Sequence, residues 1–285
     1  MTVEFILRSN TRNVTGIILE TTGLSSAYKF ASDPQGLGFA PVLRTWAESP
    51  AGGKVLKSSR LSSQEIVLPV EVTGTSRRDV ERKLSDLAWI LDAPDAELIA
   101  VYPADGADPA SSRVLSVVWE GGLENLYVTA EGPNSVTVEI DLVAPTGYWV
   151  GDTKAEAGGT THFRTLVANA GDLRAPVQIV WPDGVGTGAS RGHRLYNPGG
   201  QVVSTFTLGP SSSYRELTYT PNIGWQFFGP DRVERPAEIL SVTYGVSRFP
   251  WVPARAEAGY YINRDSAGGS QLWQCRIIER WRGVR

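Results

Sequence analysis

A single amphipathic helix in a chain of strands is the feature that most restricts the fold. Ser76-Arg77-Arg78-Asp79 follows Gly74 and has the form of a helix start. The Ser76 hydroxyl can cap the free amides of a first turn, and Asp79, three residues on, can reach back to it. Val80, Leu84, Leu87 and Leu91 then recur at spacings of four, three and four, which is one stripe of an α-helix, with Arg82, Lys83, Ser85 and Asp86 on its other faces. Pro94 stops it. The spacing predicts one helix over about 76–92, roughly four turns at 3.6 residues per turn. Trp89 lies beside the stripe and is expected to pack in the core.

Strands surround this helix. Ile66–Val72 is an alternating apolar segment broken by Gly74. After the helix come Glu97–Tyr102, the turn Pro103-Ala104-Asp105-Gly106, Arg113–Glu120, the break Gly121-Gly122, and then Glu124–Ala130 and Ser135–Val143 divided by Gly132-Pro133-Asn134. Val136, Val138, Ile140 and Leu142 alternate with Thr137, Glu139 and Asp141, a period of two with one face buried and one wet. The order is strand, helix, antiparallel meander: one helix on a curled sheet. Nearer the N-terminus, Val3–Arg8 and Val14–Glu20 read as a hairpin around Ser9–Asn13, and Ser26–Phe30 as a short strand. Thr45–Ser63 carries Ser49-Pro50-Ala51-Gly52-Gly53, Lys54, Lys57 and Arg60, and reads as a solvated loop.

The 285 residues suffice for two domains, and a 41% hydrophobic content supports real cores. Thirty glycines and eighteen prolines beside one helix point to a mainly β chain with many turns. Gly151–Thr161 is polar and small-sided, the best boundary in the chain. The expected organisation is residues 1–150 as a β-sheet or split-barrel domain with one helix, 151–161 as a linker, and 162–285 as a β-sandwich. Phe163–Ala168, Ala175–Trp181, Val202–Leu208, Tyr214–Tyr219, Ile239–Val246, Gly259–Asn263 and Leu272–Arg280 supply the second domain's strands.

Several function classes are disfavoured. A net charge of −3 gives no general pull toward nucleic acid or an anionic membrane, and no apolar run is long enough to insert in a bilayer. The start, Met1-Thr2-Val3-Glu4-Phe5, lacks the form of a signal peptide, so assembly in a cytoplasm is expected. One cysteine, Cys275, and two histidines, His162 and His193, leave no metal site or cofactor and no catalytic triad to expect; His162 falls in the proposed linker and His193 in a Gly/Arg-rich loop. Asp231, Glu234 and Glu238 are hydrolase candidates by residue type alone. The nine tryptophans are more informative. Trp225, in Asn222-Ile223-Gly224-Trp225-Gln226-Phe227-Phe228, and Trp251, in Arg248-Phe249-Pro250-Trp251-Val252-Pro253, read as aromatic loops, candidates for exposed interface or sugar contacts.

The start "IVLPVEVTGTSRRDVERKLSDLAWIL", the hairpin "LIAVYPADG...RVLSVVWEGGLE", the strand "VTVEIDLVAP" and the aromatic end "APTGYWVGD" together resemble the N-terminal domain of distal tail proteins, a minor tail protein family of long-tailed, non-contractile (siphovirus-type) bacteriophages. The chain departs from the family at Thr146-Gly147, where an Asp-Pro pair is frequent. "VANAGDLRAPVQIVW" is similar to the start of the family's second, galectin-like sandwich domain. The resemblance implies a structural virion protein of the tail tip. It forms a ring, usually hexameric, joining the distal end of the tail tube to the baseplate or tip hub proteins. Its first domains pair edge strands around the ring, and its second domains project outward, in some relatives toward a host-surface saccharide. It also implies that the segment before the strand–helix unit is an arm reaching a neighbouring subunit. The rivals are a carbohydrate-binding protein using Trp225 and Trp251 as stacking platforms, and a tail-associated hydrolase using Asp231 or Glu234.

Overall fold

The computed structural model describes residues 3–12, 16–20, 27–105, 110–123, 134–158, 164–182, 191–208, 213–220, 224–234, 239–244, 251–264 and 273–282. The expected strand Glu124–Ala130, His162 and Glu238 lie outside the described residues. The fold is mainly β with one helix among the described residues, as expected, and it divides into two compact units: 1–151 with 281–285, and 152–280.

The first unit contains β1 (Glu4–Ser9), β2 (Ile17–Leu19), β3 (Tyr28–Phe30), β4 (Val42–Glu48), β5 (Lys54–Leu61), β6 (Gln64–Thr73), α1 (Arg77–Leu91), β7 (Ala96–Tyr102), β8 (Ser111–Ser116), β9 (Val118–Gly121), β10 (Ser135–Ala144) and the start of β11 (Trp149–Gly158). β11, β8, β7, β1 and β2 are neighbours in that order in one antiparallel array, and β3, β6, β10 and β9 form a second sheet. β6 and β10 pair along their whole length, from Ser135 opposite Thr73 to Ala144 opposite Gln64. Their inward positions, Ile66, Leu68, Val70 and Val72 facing Val138, Ile140 and Leu142, are buried, as the period of two requires.

α1 closes this core with Val80, Leu84, Leu87, Ile90 and Leu91. The Ser76 Oγ accepts from the Asp79 amide at 3.2 Å. The Asp79 carboxylate reaches one residue further back than a capping box, accepting from the Thr75 amide at 3.0 Å. Lys83 Nζ donates to the Thr73 carbonyl at 2.8 Å, and the Tyr28 hydroxyl donates to the Lys83 carbonyl at 3.0 Å, so β3 and β6 both hold the helix. Trp89 is not in the core. It is 50% exposed, with the Arg12 guanidinium 3.7 Å from its ring centroid. Position 89 falls two residues after Leu87 and two before Leu91, so it turns away from the stripe.

Two further corrections concern loops. The segment read as a solvated loop is the two-stranded β4–β5 hairpin, turning at Gly52 and Gly53, whose φ of 85° and 81° suit glycine. The polar stretch from Gly151, read as a linker, is strand as far as Gly158. Asp152, Lys154 and Glu156 alternate there with Thr153, Ala155 and Ala157, too small a set of side chains to advertise a strand. Gly147 has φ 63° and a Cβ there would lie 2.0 Å from the Ser62 carbonyl oxygen, so proline could not stand in its place.

The second unit contains the remainder of β11, then β12 (Arg164–Asn169), β13 (Ala175–Trp181), β14 (Arg191–Tyr196), β15 (Val202–Leu208), β16 (Arg215–Thr220), β17 (Gly224–Phe228), β18 (Ile239–Tyr244), β19 (Trp251–Val252), β20 (Ala256–Arg264) and most of β21 (Trp273–Trp281). β17, β16, β13 and β21 form one sheet, with β19 paired to the start of β13; β12, β20, β14, β15 and β18 form the other. Val177, Ile179 and Trp181 from the first sheet, and Leu195, Phe206 and Ile262 from the second, belong to one buried cluster, the core of a β-sandwich.

Two outcomes are expected. Leu87→Ala should lower the stability of the first unit by about 2–5 kcal/mol in denaturant titration, because Leu87 is wholly enclosed. The Asp95 carboxylate accepts from the Ser9 and Thr11 hydroxyls and the Thr11 and Asn10 amides, and these bonds hold its pKa down to about 2. A carboxylate depressed in the folded state contributes stability above its unfolded value of about 4 and loses it as pH falls through the folded value. Asp95→Asn should therefore be less stable than the parent at neutral pH, and the gap should close between about pH 4 and pH 2 in denaturant midpoints.

Candidate functional site

The β4–β5 hairpin pairs with no other described strand. Its register sets Val42 opposite Leu61, Arg44 opposite Ser59 and Trp46 opposite Leu56, with a bulge after Thr45. Strand alternation puts these three pairs on one face, and Leu43–Arg60 and Ala47–Val55 on the other. Little of it is buried: Leu43 is 46% exposed, Trp46 51%, Val55 57% and Leu56 45%. A lone two-stranded ribbon is marginal in water, and one that leaves a tryptophan and several aliphatic side chains in solvent is shaped for contact with another surface. At its root, Gly36, Gly38, Phe39, Pro41, Ser62 and Gln64 line an open groove of about 500 Å³. Gln64 is buried there and donates to the carbonyls of Gly36 and Gly38, tying the incoming and outgoing chains together.

The second unit carries the other candidate. Trp225 and Trp251 lie on β17 and β19, not on loops, and both are half-buried. Tyr219 on β16 is the direct cross-strand partner of Trp225, and Trp251 is opposite Pro176 at the start of β13. This brings the three rings together. The Tyr219–Trp225, Tyr219–Trp251 and Trp225–Trp251 centroids are 5.5, 4.8 and 5.8 Å apart, all in edge-to-face geometry. The Arg174 guanidinium lies 4.7 Å from the Trp251 ring centroid and that of Arg280 5.7 Å. Sequence spacing could not reveal this cluster, since its members come from five separate segments of one sheet. Guanidinium groups lie against the Trp251 ring, where a pyranose would otherwise stack.

His193 lies in the sandwich core on β14, not in a loop. It is fully buried, stacked on Phe206 at 5.0 Å and edge-on to Trp181 at 5.2 Å and Trp273 at 6.0 Å. The arginines around it in sequence hid an alternating strand, with His193 and Leu195 buried and Arg194 exposed between them. Asp231 accepts from the Val233 amide at 3.2 Å within a turn, and Glu234 is exposed on the same turn.

No family model matches the sequence, and no curated protein matches it. Solved structures do match. The Dit protein of phage SPP1, described as a paradigm of hub adsorption apparatus in Gram-positive-infecting phages, superimposes with a TM-score of 0.62 at 11% identity, over 97% of this chain and 98% of that one. The chain has the fold of a phage distal tail hub protein. A chain of the phage P2 baseplate in its activated conformation, solved with calcium and again with strontium, matches over the full length of both chains with a TM-score of 0.55 at 11% identity. These distal tail and baseplate likenesses cover both units, so the resemblance read in the sequence extends to the whole architecture.

The two candidate surfaces should respond differently to truncation. Trp46→Ala should change the stability of the isolated chain by no more than about 0.5 kcal/mol, as for other exposed sites. Trp251→Ala removes two aromatic pairs worth about 0.5–1.5 kcal/mol each and should destabilise the second unit by about 1–3 kcal/mol. Urea unfolding of the two variants beside the parent measures both.

Proposed function

We propose that this chain is a structural component of a siphovirus-type tail tip. Copies of it assemble into a closed hexameric ring that joins the distal end of the tail tube to the baseplate or tip hub. The function is assembly geometry, and no reaction is assigned to it. The observation that carries this reading is the β4–β5 hairpin, an unsupported ribbon with Trp46, Val55 and Leu56 in solvent on a chain whose fold is that of tail hub proteins. A hairpin on one side of a subunit that docks on a different surface of the next copy is a head-to-tail contact, and such contacts close into rings when the rotation permits. The second units are then free to serve as attachment points.

A saccharide-binding role is the second reading, favoured by the gathering of Tyr219, Trp225 and Trp251 at one place. It is the weaker, because those rings pack against each other and against Arg174 and Arg280 rather than offering a free face.

Light scattering on the purified chain, followed by negative-stain imaging of the same fraction, tests the ring. The expected result is a mass several times the 30.9 kDa of one chain and a closed ring with a central opening. Trp46→Asp with Leu56→Asp should return the mass to that of a monomer without lowering the unfolding midpoint. A parent chain that is monomeric at every concentration and binds glycans in a Trp225-dependent way would instead support the second reading.

A further inference from the structure

The groups that titrate near neutrality are divided unequally between the two units. Both histidines, His162 and His193, fall in the second unit, and the first has none. Histidine is the side chain whose ordinary value lies between pH 5 and pH 8. Ordinary carboxylates, at about 3.9 and 4.3, take up most of their protons below pH 5. Three carboxylates of the first unit depart from that range, and they depart downward. Glu71 is lowered by hydrogen bonds from Ser135 and Lys29, and Asp79 by the Thr75 amide and Lys83. Asp95 is held down to about 2 by Ser9 and Thr11. Mild acid, from pH 7 to pH 5, therefore has little to act on in the first unit.

In the second unit, His193 is built into the sandwich in a way that opposes a charge. Its ring is fully buried; Phe206 stacks on it with planes 8° apart, and Trp181 and Trp273 meet it at 75° and 71°. Phe206 comes from the same sheet as His193, on β15, while Trp181 and Trp273 come from β13 and β21 of the facing sheet. The ring is thus enclosed between the two layers. The titratable and charged groups on the core side of the strands around it are Cys275 on β21, Tyr260 on β20 and Arg215 on β16, the last opposite Trp181. The position opposite His193 in the β14–β20 register is Arg264. Among the described residues no carboxylate joins this set. Glu216 alternates with the buried Leu217 and pairs outward with Arg232, and Glu279 is six residues along β21 from Trp273, about 20 Å at the rise of a strand.

We propose that His193 is an acid switch of the second unit: proton uptake by its ring weakens the sandwich as pH falls below neutrality, while the first unit keeps its fold. Burial this complete disfavours a charged ring by up to about a thousandfold to a hundred-thousandfold, and stacking on an aromatic face returns only part of that. Unfolding frees the imidazole to take a proton at its ordinary value of about 6.5. The unfolded second unit then binds more protons than the folded one. Stability that is fully present above about pH 6.5 is therefore lost as pH drops below that value. With the folded ring neutral throughout, the unfolding constant rises by about 25-fold between pH 7 and pH 5. The switch rests on the division of the chain into two units and not on the ring of copies.

Amide hydrogen exchange of the full-length chain at pH 7 and pH 5, resolved by peptide and corrected for the intrinsic rate, tests it. In the parent, protection over β13, β14 and β15 should fall by about 25-fold, and protection over β6 and β10 by much less. His193→Gln and His193→Phe each remove the titrating ring. In either variant the fall over β13, β14 and β15 should shrink to that over β6 and β10. Circular dichroism at pH 7 selects the variants that fold, and the parent decides the matter if neither does. Protection over β13, β14 and β15 that is unchanged at pH 5 in the parent overturns the switch. So does a fall in a folded variant as steep as the parent's. A parent that loses protection equally over β6 and β10 overturns the selective response of the second unit.

Discussion

The seating of one helix against β1 and the paired strands β6 and β10 is the interaction on which the first unit depends. Val80, Leu84, Leu87, Ile90 and Leu91 cover the inward side chains of β6 and β10, and no other described helix could do so. The rest of this unit's surface follows from that closure. Because the helix protects one face of the β3-β6-β10-β9 sheet, the other face is left to carry Glu65, Glu120, Glu139 and Asp141 in solvent. Because the core is complete without β4 and β5, those strands are free to stand away as a ribbon. The helix N-terminus is fixed by polar contacts of its own: the hydrogen bond from the Thr75 amide and the contacts of Lys83 and Arg82 hold the Asp79 carboxyl well below the usual carboxylate range.

Charge in the first unit is balanced locally at the helix and its neighbouring strands, and left unpaired on the β4–β5 ribbon. The helix pairs its own ions, Arg77 with Glu81 and Asp79 with Arg82 and Lys83. Arg8 on β1 pairs with Glu97 on the neighbouring strand β7. On the ribbon, Arg44, Lys54, Lys57 and Arg60 outnumber Glu48 and make no ion pair among the described residues. Exposed ion pairs add little to the stability of one chain, so leaving the ribbon's cations without ion pairs among the described residues costs a monomer little. The second unit shows the opposite strategy. Its tryptophans are spent on packing: Trp181 and Trp273 surround His193 in the core, while Trp225 and Trp251 lock with Tyr219 under Arg174.

The expectations that failed share one physical cause. Trp89, His193 and the β4–β5 ribbon were misread because sequence pattern reports the period of burial and not its partner. Trp89 sits beside an apolar stripe yet turns outward onto Arg12. His193 is flanked by arginines yet its own side chain points into an aromatic core. β4 and β5 have no buried face in the single chain, so they show no clean alternation between apolar and polar, and the glycines at their turn made them resemble a loop.

The sequence by itself determined the mainly β class, the single helix with its Ser76 cap and leucine stripe, and the pairing-competent strands at Ile66–Val72 and Ser135–Val143, because these depend on local propensity and on the periods 3.6 and 2 that residue order carries directly. It also held, in the order of those elements, the likeness to distal tail proteins. Only the tertiary structure decided which charges would find partners, which aromatic rings would meet, and that β4 and β5 would stand apart from both cores. Those outcomes depend on the register of β9, β10 and β6 and on contacts between separate segments of the chain, such as Arg12 with Trp89, and no local rule of sequence encodes which distant surface a strand will face.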